Sequence, residues 1–374
     1  MENKKVNIIL FIILIIIIIA IVVLIGKYND QIAEKAQEII QNTIVPAFTT
    51  DNDNIKVIST LDDKVTGNAV WCGTFQLIWN DLKNDIVKQD IEFSPQLECA
   101  DNLNKSNFTS DMISEEDYYK TYGIISPELK NRIETDLNNK FGKTSDLLNN
   151  FNWDSNSVDT TKYLLYSMLV KDLKFNTPFD DLETGDFGGK DTKTSYFGLK
   201  VSSNPEARSQ VSVLYYNNEK DKAISIATTT NDEIILCRTD NTQNFNQVYQ
   251  KINNEKQNYK GSTTLGDTDI LKIPEISMKT EKEYKDLENK EFETVDGTKL
   301  TIEKAIQNID FELNKEGAKV TSEAGMSVVT RAAAPTEESR DFSFDDKFII
   351  LIKEKDKDLP YFALNVSDIT DFQK

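Results

Sequence analysis

Hydrophobic spacing along the chain changes character several times, and each change predicts an element. Val6 to Gly26 is an uncharged run of 21 residues. At about 1.5 Å per residue it spans about 31 Å, the thickness of a hydrocarbon core, and it predicts one transmembrane helix. Lys4 and Lys5 precede it and place residues 1–5 in the cytoplasm as a short tail. Ile32, Ala33, Ala36, Ile39 and Ile40 then recur at helical spacing up to Pro46, so 27–50 reads as a stalk and linker. From residue 51 onward no clean boundary appears, which predicts one extracytoplasmic domain over 51–374 at the plasma membrane.

Within that domain the apolar run "AVWCGTFQLIWNDL" predicts the start of a buried helix, with Trp71 and Trp79 in the core. Phe93 to Asn107 is polar and reads as irregular, and short helices are predicted around Glu115–Tyr122 and Pro127–Lys140. Beyond 160 the texture alternates. "TTKYLLYSMLVKDLKF", "SQVSVLYYNNEKDKAISIATTT" and "EIILCRT" are strand runs, with hairpin punctuation at Asn217–Asn218 and Asn231–Asp232. "DLETGDFGGKDTKT" reads as a turn connection, and "KFIILIKEKDKDLPYFALNVSDI" as two strands around a charged turn. Helices early and strands late make an α+β domain.

Composition narrows the chemistry. The net charge of −19 leaves no basic stripe for phosphates, which argues against nucleic acid as a partner. Histidine is absent, which removes Ser-His-Asp and Cys-His nucleophiles, histidine metal ligation and histidine switching. Cys72, Cys99 and Cys237 show no zinc spacing and read as free thiols, with a single Cys72–Cys99 or Cys99–Cys237 bridge left open. The acidic groups Asp180–Asp181 and Glu115–Glu116–Asp117 read as solvated charge rather than metal ligands or acid–base pairs. No metal, no cofactor and no enzyme activity are expected, although carboxylate chemistry stays open.

The last seventy residues resemble the serpin family, the serine protease inhibitors. "FSFDDKFIILIK" keeps Phe342, Asp345, Phe348, Ile352 and Lys353 at the spacing of the family's C-terminal signature, with Lys347 in place of its proline. "FALNV" is similar to the partner strand, and "AIQNIDFELNKEG" to the strand that leads into the reactive loop. "SMLVKDLKFNTPF" resembles a further family strand, with Ser167 for its asparagine and Phe175 for its tryptophan. The resemblance implies a serpin-like fold of several sheets with N-terminal helices. It also implies an exposed loop that inserts into a sheet once cleaved, the handling of stored strain for which this family is a standing example.

"FELNKEGAKVTSEAGMSVVTRAAAP" carries that loop. The hinge would be Glu316, Gly317, Ala318, Lys319 and Val320. Alternate residues of a strand face opposite ways, so Ala318, Val320, Ser322, Ala324, Met326 and Val328 form one small or apolar insertion face. The family's scissile position falls at Arg331–Ala332, where arginine suits a trypsin-like serine protease as partner. The expected function is a membrane-anchored suicide-substrate inhibitor with no catalytic residue of its own. Lys319, Val320 and Glu323 depart from the family's hinge, and they keep a second reading open: a non-inhibitory serpin-fold binding or structural protein at the cell surface.

Overall fold

The structure is a computed structural model, and it describes residues 54–373 apart from 143–144, 146–147, 149–152, 154–161, 201–202, 241–242 and 321–338. Its centre is a seven-stranded sheet. Ile55–Val57 pairs parallel with Asn68–Cys72, and Phe362–Val366, Phe348–Glu354, Asp232–Arg238, Asp221–Ala227 and Val211–Asn218 follow antiparallel. Every residue of Phe348–Glu354 and of Phe362–Val366 is buried, as expected of central strands covered on both faces.

Two four-stranded sheets lie end to end, and two long stretches of chain run through both. One stretch is Lys162–Leu169 continued by Lys171–Lys174; the other is Lys299–Lys304 continued by Ile306–Asn314. The first sheet is completed by Glu291–Glu293 and Tyr118–Ile124, the second by Ile276–Glu283 and Gly317–Val320. Phe311 of the second sheet stacks on Phe362 of the seven-stranded sheet at 4.6 Å, which joins the two layers. A fourth sheet orders Asp341–Ser343, Ile270–Pro274, Tyr196–Leu199 and Asp180–Asp181.

Several local expectations change. "AVWCGTFQLIWNDL" is a strand, Asn68–Cys72, followed by a helix, Thr74–Asp81. All five strand residues are buried, so no alternation marked it. Glu115–Tyr122 is a single turn at Glu115–Asp117 followed by the strand Tyr118–Ile124, and the stretch read as irregular holds the helix Glu98–Asn104. The Pro127 helix does form, over Pro127–Phe141. Ser126 accepts the Leu129 amide at its start, and Gly142 closes it in the left-handed conformation. "DLETGDFGGKDTKT" is a hairpin of Gly185–Phe187 and Lys190–Thr194.

The transmembrane part of the expected fold class is corrected. Among the described residues no helix is long and apolar enough to cross a membrane. Residues 6–26, where the apolar run suggested a span, lie outside the described residues, as do the stalk and linker at 27–50. The described architecture is α+β, sheets with flanking helices, and no membrane helix belongs to it.

Candidate hinge and insertion gap

Gly317 starts the site. Its φ is +147°, and a Cβ there would be driven into the Leu173 carbonyl oxygen and come within 2.8 Å of Lys174 Cα. Only glycine fits both demands. Asn314 and Gly317 pair with each other, so the chain reverses through two residues, Lys315 and Glu316, and returns into the same sheet. The turn is tied down on its outer side. Phe175 and Phe179 donate their amides to the carbonyls of Glu316 and Lys315, and Lys315 pairs with Asp181 at 2.6 Å.

The returning strand Gly317–Val320 lies between two others and is antiparallel to both. Gly317, Ala318, Lys319 and Val320 stand opposite Lys174, Leu173, Asp172 and Lys171 on one side. Glu312, Leu313 and Asn314 stand opposite Lys319, Ala318 and Gly317 on the other. The flanking strands run parallel to each other. At their far ends they pair directly, Thr301 with Lys162, Ile302 with Tyr163 and Lys304 with Leu164.

Between the hinge strand and that closed end, no strand among the described residues separates the two flanking edges. Continuing the two registers, Val170 stands across from Asp310 at the first step past Val320, and Leu165 across from Ala305 at the sixth. The gap is therefore six residues long before the Lys304–Leu164 pair is met. At about 3.3 Å per residue that is about 20 Å along each edge.

Both edges of the gap are fastened to one point beneath it, the start of the helix Thr74–Asp81. Ser167 donates to the Thr74 carbonyl at 3.0 Å from one edge. From the other, Gln307 Nε2 donates to Thr74 Oγ1 at 2.9 Å and to the Cys72 carbonyl at 3.1 Å. Tyr284 donates its hydroxyl to Gln307 Oε1 at 3.0 Å, and its ring stacks on Phe75 at 3.8 Å. Burial pushes the thiol of Cys72 upward, so it stays protonated and inert here.

A buried charge cluster marks the mouth of the gap, level with Val320. Lys171 Nζ lies 2.7 Å from Asp117, 2.9 Å from Asp232 and 2.9 Å from Glu354. Burial opposes its charge, but Asp232, Asp117 and Glu354 outweigh that and hold the ammonium above its ordinary value. Tyr361 donates to Asp232, and Ser114 donates twice to Glu354. Lys171 thereby ties one edge of the gap to the seven-stranded sheet.

No protein-family model matches this chain, and no curated protein matches it by sequence. Solved structures do. Maspin aligns over 81% of this chain and 93% of its own, at 11% identity and a TM-score of 0.51. The chain carries the serpin fold. Human thyroxine-binding globulin aligns over 82% of this chain and 92% of its own, at 12% identity and a TM-score of 0.46. Tengpin, a thermophilic serpin, aligns over 83% and 90%, at 12% identity and the same TM-score of 0.46.

Within this serpin fold the hinge residues divide into two groups. Glu316 is exposed on the turn, Gly317 is the close approach, and Ala318 is buried between Leu173 and Leu313. Lys319 and Val320 are in backbone register with their neighbours. Ser322, Ala324, Met326, Val328, Arg331 and Ala332 lie outside the described residues. Cys72, Cys99 and Cys237 are all free thiols, so neither bridge left open by the sequence is present.

Gln307, Thr74 and Lys171 escaped the sequence reading. A signal existed for Lys171. It shares parity with Leu173 and Phe175, both buried, and a lysine in that row needs carboxylate partners. Gln307 and Thr74 lie 233 positions apart and offered none.

Proposed function

We propose that this chain inhibits a trypsin-like serine protease as a suicide substrate, by strand addition after cleavage at Arg331–Ala332. The observation that carries the reading is the hinge strand Gly317–Val320. It is already seated between two parallel strands, whose edges beyond it are separated by no strand among the described residues. In the proposed step the protease serine oxygen bonds to the Arg331 carbonyl carbon and the peptide bond to Ala332 breaks. The new amino terminus of Ala332 takes the proton, and the ester remains on the protease. The freed segment then continues the hinge strand down the gap. Ala324 would come level with Ser167 and Gln307, whose side chains both reach Thr74.

A second reading, a serpin-fold protein that binds without inhibiting, is supported by Lys171. Its charged side chain is buried level with Val320, the last described residue of the hinge strand, at the entrance that an inserting segment would have to pass. Incubation of the full chain with trypsin followed by denaturing electrophoresis separates the two. Inhibition gives a covalent band of protease joined to the fragment ending at Arg331, with residues 332–374 released, and loss of protease activity. Clean cleavage with the protease still active discards inhibition and leaves the binding reading.

A further inference from the structure

Lys171 faces more carboxylates than one cation needs, and two of them are sealed in with it. The side chains of Lys171, Asp232 and Glu354 are exposed at 4%, 2% and 1%, and Nζ lies 2.9 Å from Asp232 Oδ1 and 2.9 Å from Glu354 Oε1. Asp117, at 2.7 Å, is 29% exposed and keeps its contact with water. Asp232 and Glu354 stand directly opposite each other on neighbouring antiparallel strands, so their side chains share a face. Lys171 reaches them from a different sheet. For an ion pair taken this far from water, the cost of desolvation can match or exceed the attraction. A buried amine against a buried carboxyl is also a pair of reactants. The carboxyl carbon lies one bond beyond Oδ1, so the fold holds the two side by side in place of an encounter in solution.

The surroundings give the two buried carboxyls different roles. Asp232 receives two hydroxyls, Tyr361 donating to Oδ1 at 2.9 Å and Thr230 Oγ1 to Oδ2 at 2.6 Å. Both donors can follow charge as it develops on those oxygens. Glu354 receives the Ser114 amide at 2.8 Å and the Ser114 hydroxyl at 2.6 Å. Burial alone would raise the Glu354 pKa, but Ser114 and Lys171 hold it below the ordinary carboxylate value, so it stands ionised as a proton acceptor. Tyr361, fully buried, closes the site with its ring 5.1 Å from Nζ, and exposed Thr230 gives a released water a way out.

We propose that Lys171 and Asp232 condense to an intramolecular amide, with Glu354 carrying the protons. The ammonium passes one proton to Glu354, and the freed lone pair of Nζ bonds to Asp232 Cγ. Charge collects on Oδ1, against the Tyr361 hydroxyl. Glu354 hands that proton, and then a second from the nitrogen, to Oδ2, and the Cγ–Oδ2 bond breaks as water leaves. Of the three protons on the ammonium, two depart in the water and one stays as the amide N–H. Nothing is oxidised or reduced, and no co-reactant is needed. Glu354 ends ionised, accepting from the new N–H as well as from Ser114. Burial opposes the Lys171 ammonium, but the carboxylates outweigh it, so the amine is the minor form and the bond forms slowly, after folding. The product joins residues 61 positions apart and binds one edge of the gap to the seven-stranded sheet. It does not depend on strand addition.

The test is the mass of the full chain, kept folded in neutral buffer, sampled over days, then denatured and digested. Parent should become lighter by one water, and its digest should hold the Lys171 and Asp232 peptides joined. Parent kept in urea throughout should retain its full mass, because only the fold brings the two residues together. Asp232→Asn should lose ammonia in place of water and give the same joined peptides. Lys171→Arg keeps the charge but offers no amine, and should retain its full mass. Glu354→Gln keeps the shape but carries no proton, and should slow the joining roughly a hundredfold or more. Folded parent that retains its full mass overturns the proposal. So does a parent that has lost water while the Lys171 amine stays free, since an aspartate can cyclise onto its own backbone. Joining to Asp117 or Glu354 overturns the choice of Asp232, and Glu354→Gln joining at the parental rate overturns the proton relay. The parent decides whether the bond exists without any variant, so a substitution that fails to fold does not spare the proposal.

Discussion

Replacing Gln307 by leucine should loosen the gap, and the size of the effect follows from its contacts. Gln307 is buried and makes three hydrogen bonds, two donated to Thr74 Oγ1 and the Cys72 carbonyl and one accepted from Tyr284. Leucine matches its volume but serves none of them. Each buried group deprived of its partner costs about 1–3 kcal/mol, less where it can turn to another. Thr74 keeps a contact with the Cys72 sulfur at 3.6 Å, so the sum is below three full penalties. Extra apolar burial by leucine offsets about 1 kcal/mol. The expected net loss is about 2–4 kcal/mol, a fall in Tm of about 4–8 °C for a domain of this size.

Urea titration with tryptophan fluorescence measures the loss, and a double-mutant cycle with Tyr284→Phe tests its cause. Removing the hydroxyl should cost about 1 kcal/mol in parent and nothing, or less than nothing, beside Gln307→Leu. Amides on both edges of the gap should also exchange faster. A Gln307→Leu midpoint equal to parent would mean that Gln307 does not fasten the two edges. Additive costs in the cycle would mean that Tyr284 is not its partner.

Three further outcomes are expected. Gly317→Ala, which forces a side chain into the Leu173 carbonyl at φ +147°, should cost about 2–4 kcal/mol and expose the 317–320 amides to exchange; unchanged protection there would show that the close approach is not needed. Lys222 is buried, donating to the Asp341 carbonyl at 2.6 Å and lying over the Phe344 ring at 5.6 Å, and burial lowers its pKa from 10.5 to about 8. Below pH 8 both states hold the proton and the fold bears the full cost of the buried charge. As pH rises toward 10.5 the folded state releases its proton first, so stability should rise by up to about 3 kcal/mol. Lys222→Met should remove that rise, and a parent-like pH profile in the variant would refute the assignment. Nicking parent at Arg331 should raise Tm, Ala324→Arg should abolish the gain by forcing an unpaired charge inward, and Ser327→Arg should spare it. Equal gains in the two variants would mean that the alternate face is not what enters the sheet.

How much of this was legible in the sequence depends on how far apart the deciding residues lie. Short apolar runs punctuated by turn residues gave away the strands of 211–238 and 348–366, and alternation put Ala318 on the small or apolar face; the fold buries it. A serine before Pro127 and a glycine after Phe141 marked a helix from both ends. Such signals work because a side chain's nearest neighbours on a strand or helix are only two to four residues away. Where burial was total and no turn residue separated the elements, the signal vanished. Asn68–Cys72 has no exposed side, so its residues show no period, and strand and helix could not be told apart.

The gap itself was beyond any local reading. Its edges, 165–170 and 305–310, belong to strands that meet only because residues 301–304 and 162–164 pair across more than a hundred positions. Its fastening needs Thr74, Ser167 and Gln307 at one point, and its mouth needs Lys171 among Asp117, Asp232 and Glu354. Side chains of these types are ordinary surface residues until topology buries them together. Once buried, each must find the partner that pays for its lost water, and that partner is chosen by the layering of the sheets rather than by the order of the chain.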